Sequence, residues 1–122
     1  MFMVNQLAGF GAGGEGPATI AWTDSDVDGV YRTSYTFSDV GLGSPAANRQ
    51  IIVGAVIHDA STPQKITTMT IDGIAAGRVA WAVNSEIGLD FWSAEVPNNT
   101  TGQIVVTLAG EANRCGIGVW AV

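Results

Sequence analysis

Arg49-Gln50-Ile51-Ile52-Val53-Gly54-Ala55-Val56-Ile57-His58 is the stretch on which the fold turns. Its apolar centre, Ile51 to Ile57, is short for a helix, and its branched side chains lose rotamer freedom in a helix but pack well on a pleated surface. Turn signals bound it. Successive side chains on a strand point to opposite faces, so a strand that is apolar at every position requires cover on both. The run predicts a central strand with both faces buried.

The segments on either side read the same way. Upstream, Ala18 to Thr23 is a first strand closed by an acidic turn from Asp24 to Gly29, and Val30 to Phe37 is a second, broken by Gly41-Leu42-Gly43-Ser44-Pro45. Ser44 to Asn48 has room for one helical turn at most. Downstream, Lys65 to Ile71 ends at Asp72-Gly73, a tight-hairpin signal that leads into Arg78 to Val83. Leu89 to Val96, Gln103 to Leu108 and Asn113 to Val122 follow, with the cluster Pro97-Asn98-Asn99-Thr100-Thr101-Gly102 as a turn. The last strand sets Cys115, Ile117 and Val119 on one face and Gly116, Gly118 and Trp120 on the other. The glycines leave room there for a backbone or a bulky aromatic, or they let the strand bend. About eight strands without an amphipathic helix predict an all-β fold, an antiparallel β-sandwich or jelly roll, in one domain over residues 17–122.

Residues 1–16 are of another kind. Gly9 to Gly16 carries five glycines, which predicts a flexible arm joining a short apolar peptide to the body. Phe2, Met3, Val4, Leu7 and Phe10 give that peptide reason to dock on its own body or on a partner. It has neither the positive leader nor the hydrophobic block of a signal peptide, so the chain is expected to stay in the cytoplasm or be packaged there.

Charge narrows the function. Five Lys/Arg and eleven Asp/Glu in 122 residues amount to 13% charged, about half the share of an ordinary domain. A surface so poor in charge is expected to be covered by neighbours. The formal net charge of −6 repels phosphate backbones and anionic lipid, which argues against nucleic acid and membrane partners. No run approaches the ~20 apolar residues of a membrane-spanning helix.

Little here can do chemistry. Asp24-x-Asp26-x-Asp28-Gly29 copies the start of a calcium loop, but Tyr35 stands where the bidentate Glu belongs, so the three aspartates are a weak Ca²⁺ candidate beside a plain solvated turn. Gly9-x-Gly11-x-x-Gly14 matches a dinucleotide fingerprint without its strand and helix. His58, Asp59 and Ser61 supply hydrolase residue types, yet neighbours on a strand diverge, and one histidine and one cysteine leave no cluster for catalysis or a metal. Neither enzyme activity nor a cofactor is expected. Cys115 reads as a buried thiol. Of the four tryptophans, at least two should fill the core, and Trp92, with Asp90 and Glu95 close in sequence, is the candidate for a partner-binding surface.

Tyr35-Thr36-Phe37-Ser38, Asn48-Arg49 leading into Ile52-Val53-Gly54, Ile71-Asp72-Gly73-Ile74, Val96-Pro97 with Thr101 to Thr107, and the ending Arg114 to Val122 together resemble small β-sandwich virion proteins of tailed bacteriophages. The likeness extends over most of residues 30–122. It implies a head decoration (cement) protein or a tail-associated module, and it carries no catalytic residue with it. A decoration protein would be a homotrimer on the capsid surface, bound to the major capsid protein and to sister copies, with the arm docked on the shell or on a sister subunit. A tail or fibre module would instead grip a host glycan. Without a repeat, coiled coil or long shaft the chain departs from a fibre.

Overall fold

The computed structural model describes residues 18–122, so the expected arm, residues 1–16, lies outside the described residues together with Phe2, Met3, Val4, Leu7 and Phe10. Nine strands follow one another: β1 (Ala21–Asp28), β2 (Arg32–Gly41), β3 (Gln50–His58), β4 (Ile66–Ile71), β5 (Ile74–Ala75), β6 (Gly77–Val83), β7 (Ile87–Glu95), β8 (Thr101–Ala112) and β9 (Arg114–Ala121). They form two antiparallel sheets, one of five strands in the order β1-β9-β3-β7-β6 and one of four in the order β2-β8-β4-β5. The pairing is nested. First strand pairs with last, β2 with β8, β3 with β7, and β4 turns back on β5.

The Ile51–Ile57 run is the middle strand of the five-stranded sheet, as its composition requires. Ile51, Val53, Ala55 and Ile57 are fully buried on its inner face. Its outer face departs from expectation: nothing in the described chain covers Val56, which is 43% exposed. The inner faces of both sheets share one cluster. Phe37 and Val40 from β2, Met69 and Ile71 from β4, Ile104 and Val106 from β8, and Ile117 and Val119 from β9 meet the β3 residues there.

Tyr35 anchors one end of this core. Its hydroxyl lies 2.8 Å from the carbonyls of both Val30 and Ala112, donating to one at a time, and burial raises its pKa. Tyr35→Phe is expected to cost about 1 kcal/mol by urea denaturation, since a buried carbonyl then loses its donor. Cys115 is fully buried, and desolvation pushes its thiol up to about 12. Native protein at pH 8 should therefore fail to react with a thiol reagent and react fully once denatured.

Asp72 and Gly73 have φ of 53° and 78°, the two left-handed residues of a type I′ hairpin that joins β4 to β5. The sequence signals the turn but not its consequence. After the two residues of β5, the Ala76 N–H donates to Met69 O, and the chain leaves for the other sheet as β6. Ser44 to Asn48 forms no helical turn, and its only regular feature is a turn at Ala47-Asn48. Arg49 secures this loop. It is 3% exposed and donates to the carbonyls of Val96 (2.7 Å), Gly43 (2.9 Å), Asn98 (2.6 Å) and Asn99 (2.8 Å), tying the 42–48 loop to the 97–100 turn.

The first strand corrects the sequence reading. Asp24 to Asp28, expected as a turn, are strand residues, paired with β9 as Asp24↔Val119, Asp26↔Ile117 and Asp28↔Cys115. A ladder formed with a partner some ninety residues away overrides the poor strand propensity of aspartate.

Candidate interaction surface

The two sheets turn different faces outward. On the four-stranded sheet the outward positions are largely hydroxyl-bearing: Ser34 opposite Thr107, Thr36 opposite Val105, and Thr68 and Thr70 beside them. On the five-stranded sheet they are mostly apolar. Across β3 and β7 the outward pairs are Ile52↔Ser93, Gly54↔Phe91, Val56↔Leu89 and His58↔Ile87. β6 adds Ala80 and Ala82, and β9 adds Gly116, Gly118 and Trp120, with Trp22 of β1 opposite Trp120.

The centre of this face carries no charge, and polar residues sit at its margins. Gln50 pairs with Glu95 at one end and His58 with Arg114 at the other. An apolar middle with a polar rim is the anatomy of a protein–protein interface, and apolar patches of this kind are uncommon on monomers. Trp22 (62%) and Val79 (63%) are exposed, as is Leu89 (37%).

Glycines let the aromatics lie flat on this face. A Cβ at Gly118 would come 2.8 Å from Trp120 Cη2, and one at Gly54 would come 2.8 Å from Phe91 Cε1. The bulky aromatic for which the bare last strand left room is thus Trp120 itself. Its ring centroid is 6.5 Å from that of Phe91, tilted by 43°. A groove of about 560 Å³ opens beside them, with Ala18, Ile20, Ile52, Val79, Phe91 and Val122 in its lining. A smaller hollow of about 240 Å³ lies on the same sheet near Ile87 and Leu89.

Trp92 is not a surface residue. It is 6% exposed and points inward, one step out of phase with Phe91 on β7. Arg78 closes over it, with Cζ 4.8 Å from the Trp92 ring and 5.8 Å from that of Trp81. The same guanidinium is chelated by the fully buried Asp90, with Nε at 3.0 Å and Nη2 at 2.8 Å, and it also donates to Ile66 O. Charged neighbours in the sequence suggested exposure, but Asp90 pairs with Arg78, whose guanidinium is the lid over the ring. Of the four tryptophans only Trp92 joins the core cluster; Trp81 and Trp120 are half-buried, and Trp22 is exposed.

The aspartates of β1 are not gathered around a common point. Asp24 Oδ2 accepts from Gly41 N at 2.7 Å and Asp26 Oδ1 from Val27 N at 2.8 Å, while Asp28 takes Val30 N at 2.9 Å and Arg32 Nε at 2.8 Å. The Val30 hydrogen bond, with help from Arg32, holds the Asp28 carboxyl below its ordinary value. Among the described residues no group of three or more His, Cys, Asp or Glu side chains could share a metal ion. These carboxylates share the inward side of an edge strand, where they discourage another strand from adding on.

His58 faces outward, while Asp59 Oδ1 takes the N–H and hydroxyl of Ser61. Among the described residues, Nδ1 of His58 is buried without a partner, and so is Nε1 of Trp92. No helix among the described residues is long and apolar enough to cross a membrane. Local sequence pattern does not single out Ile52, Val56, Leu89, Phe91 and Trp120 as one outward face, although the unbroken apolar run of β3 signals part of it. No protein-family model and no curated protein matches the chain.

Proposed function

We propose that this chain is a structural component of a tailed-phage virion, a capsid decoration protein whose work is mechanical. The observation that carries the reading is the outer side of β3: on a strand composed for burial on both faces, nothing among the described residues covers Val56, and Ile52 is only part-buried. The missing cover is supplied by the major capsid protein and by sister copies, in a trimer on the outer surface of the head. Nucleic acid and membrane are not partners on this reading, and no catalysis is involved. Each Å² of apolar face removed from water contributes about 25 cal/mol before the cost of ordering, so many symmetric contacts together oppose the outward pressure of packaged DNA.

The nested strand pairing supports a jelly roll, the double-sheet architecture of many viral capsid and lectin domains, with β6 as an added edge strand. The resemblance of residues 30–122 to small virion proteins points the same way.

A tail-associated glycan-binding module is the second reading, favoured by Trp22 lying opposite Trp120 on the outer face, since aromatic faces stack on sugars. One experiment separates the two. Purified protein is co-sedimented with undecorated capsids and, in parallel, applied to a glycan panel. Saturable capsid attachment without glycan binding is expected, and glycan binding without capsid attachment would replace the first reading with the second.

A further inference from the structure

The groove beside Phe91 and Trp120 is bounded on one side by the first residues the structure describes. Ala18 and Ile20, which precede β1, contribute to its lining, so the chain before them sets out from the groove's own rim. We infer that the occupant of the groove is the apolar segment Phe2 to Phe10 of the same chain, folded back along the groove and not onto the shell or a sister subunit. The groove takes the Ile52–Phe91 end of the outer face and leaves Val56 and Leu89 open to the partners of the virion reading, so either reading can fail alone.

Chemistry, reach and concentration each support it. The lining is apolar apart from Gln50 and Ser93 and contains no charged residue. The segment matches it: Phe2, Met3, Val4, Leu7 and Phe10 are large and apolar, and the first charged side chain is Glu15. Burial of such side chains against apolar walls is favourable, and no ionic side chain has to be desolvated.

Residues 11–17 tether Phe10 to Ala18, and at roughly 3.5 Å per residue that tether extends to about 28 Å. The five strands of the sheet, about 4.8 Å apart, span roughly 19 Å. The segment therefore reaches any part of the groove. Glycines at 11, 13, 14 and 16 permit the reversal, because they alone enter left-handed backbone without strain. A short tether also holds the segment at a millimolar effective concentration, which a second copy in micromolar solution does not match.

The test uses the full chain with Gln6→Cys carrying a nitroxide. Cys115 does not compete for the label, since it is fully buried. Amide signals of Ile52, Val79, Ala80 and Phe91 should be broadened far more than those of Thr36 and Thr107 on the other sheet, which lies about 10 Å further from the label. A Leu7→Asp, Phe10→Asp chain with the same label should recover at least half of the lost groove intensity. In a sample where the nitroxide sits on isotopically silent chains and another, unlabelled copy is observed, no broadening should appear. Sharp groove signals in the first sample overturn the proposal. Broadening that survives in the mixed sample also overturns it, in favour of arm exchange between copies. Capsid co-sedimentation is read separately, so failure here is distinct from failure of the virion reading.

Discussion

Lysine at both Val56 and Leu89 is expected to abolish capsid attachment, with affinity falling about 1000-fold or more, while the unfolding free energy stays within about 1 kcal/mol of the parent. The two residues are directly opposed on β3 and β7, and both are exposed in the single chain, 43% and 37%. In the free protein the new ammonium groups extend into water at little cost. In a complex that covers this face, each must be stripped of water without an anionic partner, at several kcal/mol apiece. The matched control is Thr36→Lys with Thr68→Lys on the outward side of the other sheet, which should leave attachment unchanged. Co-sedimentation measures binding and urea denaturation measures stability. Full attachment of the Val56/Leu89 variant would show that this face is not the contact.

Arg49→Met should destabilise the fold by about 3–5 kcal/mol, a large share of the 5–15 kcal/mol typical of a domain. Methionine keeps the unbranched stem but donates nothing, so the carbonyls of Val96, Gly43, Asn98 and Asn99 lose their common donor. Removing a buried cation returns some desolvation energy, and this limits the loss. The guanidinium is weakly hydrated, however, so that return is small, and the Val96 carbonyl is left buried without a donor while water only partly serves the other three, so the lost bonds dominate. Arg49→Lys should recover only part of the loss, because one ammonium cannot reach carbonyls spread around a planar fork. Urea midpoints measure both, and a loss below 1 kcal/mol for Arg49→Met would mean that water satisfies the carbonyls.

The ion pair beneath β6 follows the same logic and carries its own expectation. Asp90→Asn keeps the shape but removes the charge that chelates Arg78, and it should cost about 3 kcal/mol, because the guanidinium stays fixed between the Trp81 and Trp92 rings.

Several features are legible in the sequence, each for a local reason. Branched residues in short runs placed β3, β4 and β9 almost to the residue. Asp72-Gly73 announced its turn because few other pairs enter the left-handed region twice in succession. Cys115 was legible as buried from the alternation around it. The shortage of charge and the two-sided apolar run of β3 together pointed to an apolar surface, though not to which one.

What local pattern could not reveal was the choice of neighbours. β1 is a strand because β9, near the other end of the chain, offers it a ladder, and its carboxylates then alternate inside that ladder instead of capping a turn. β5 exists because the hairpin closes before Ala76 diverts the chain to the other sheet. Trp92 lies inside and Phe91 outside because β7 pairs with β3 in one register, and a slip of one residue would exchange them. Sequence periodicity states that a strand has two sides. Which side meets the core is settled by contacts between residues far apart along the chain, and here those contacts leave the apolar back of the five-stranded sheet facing outward.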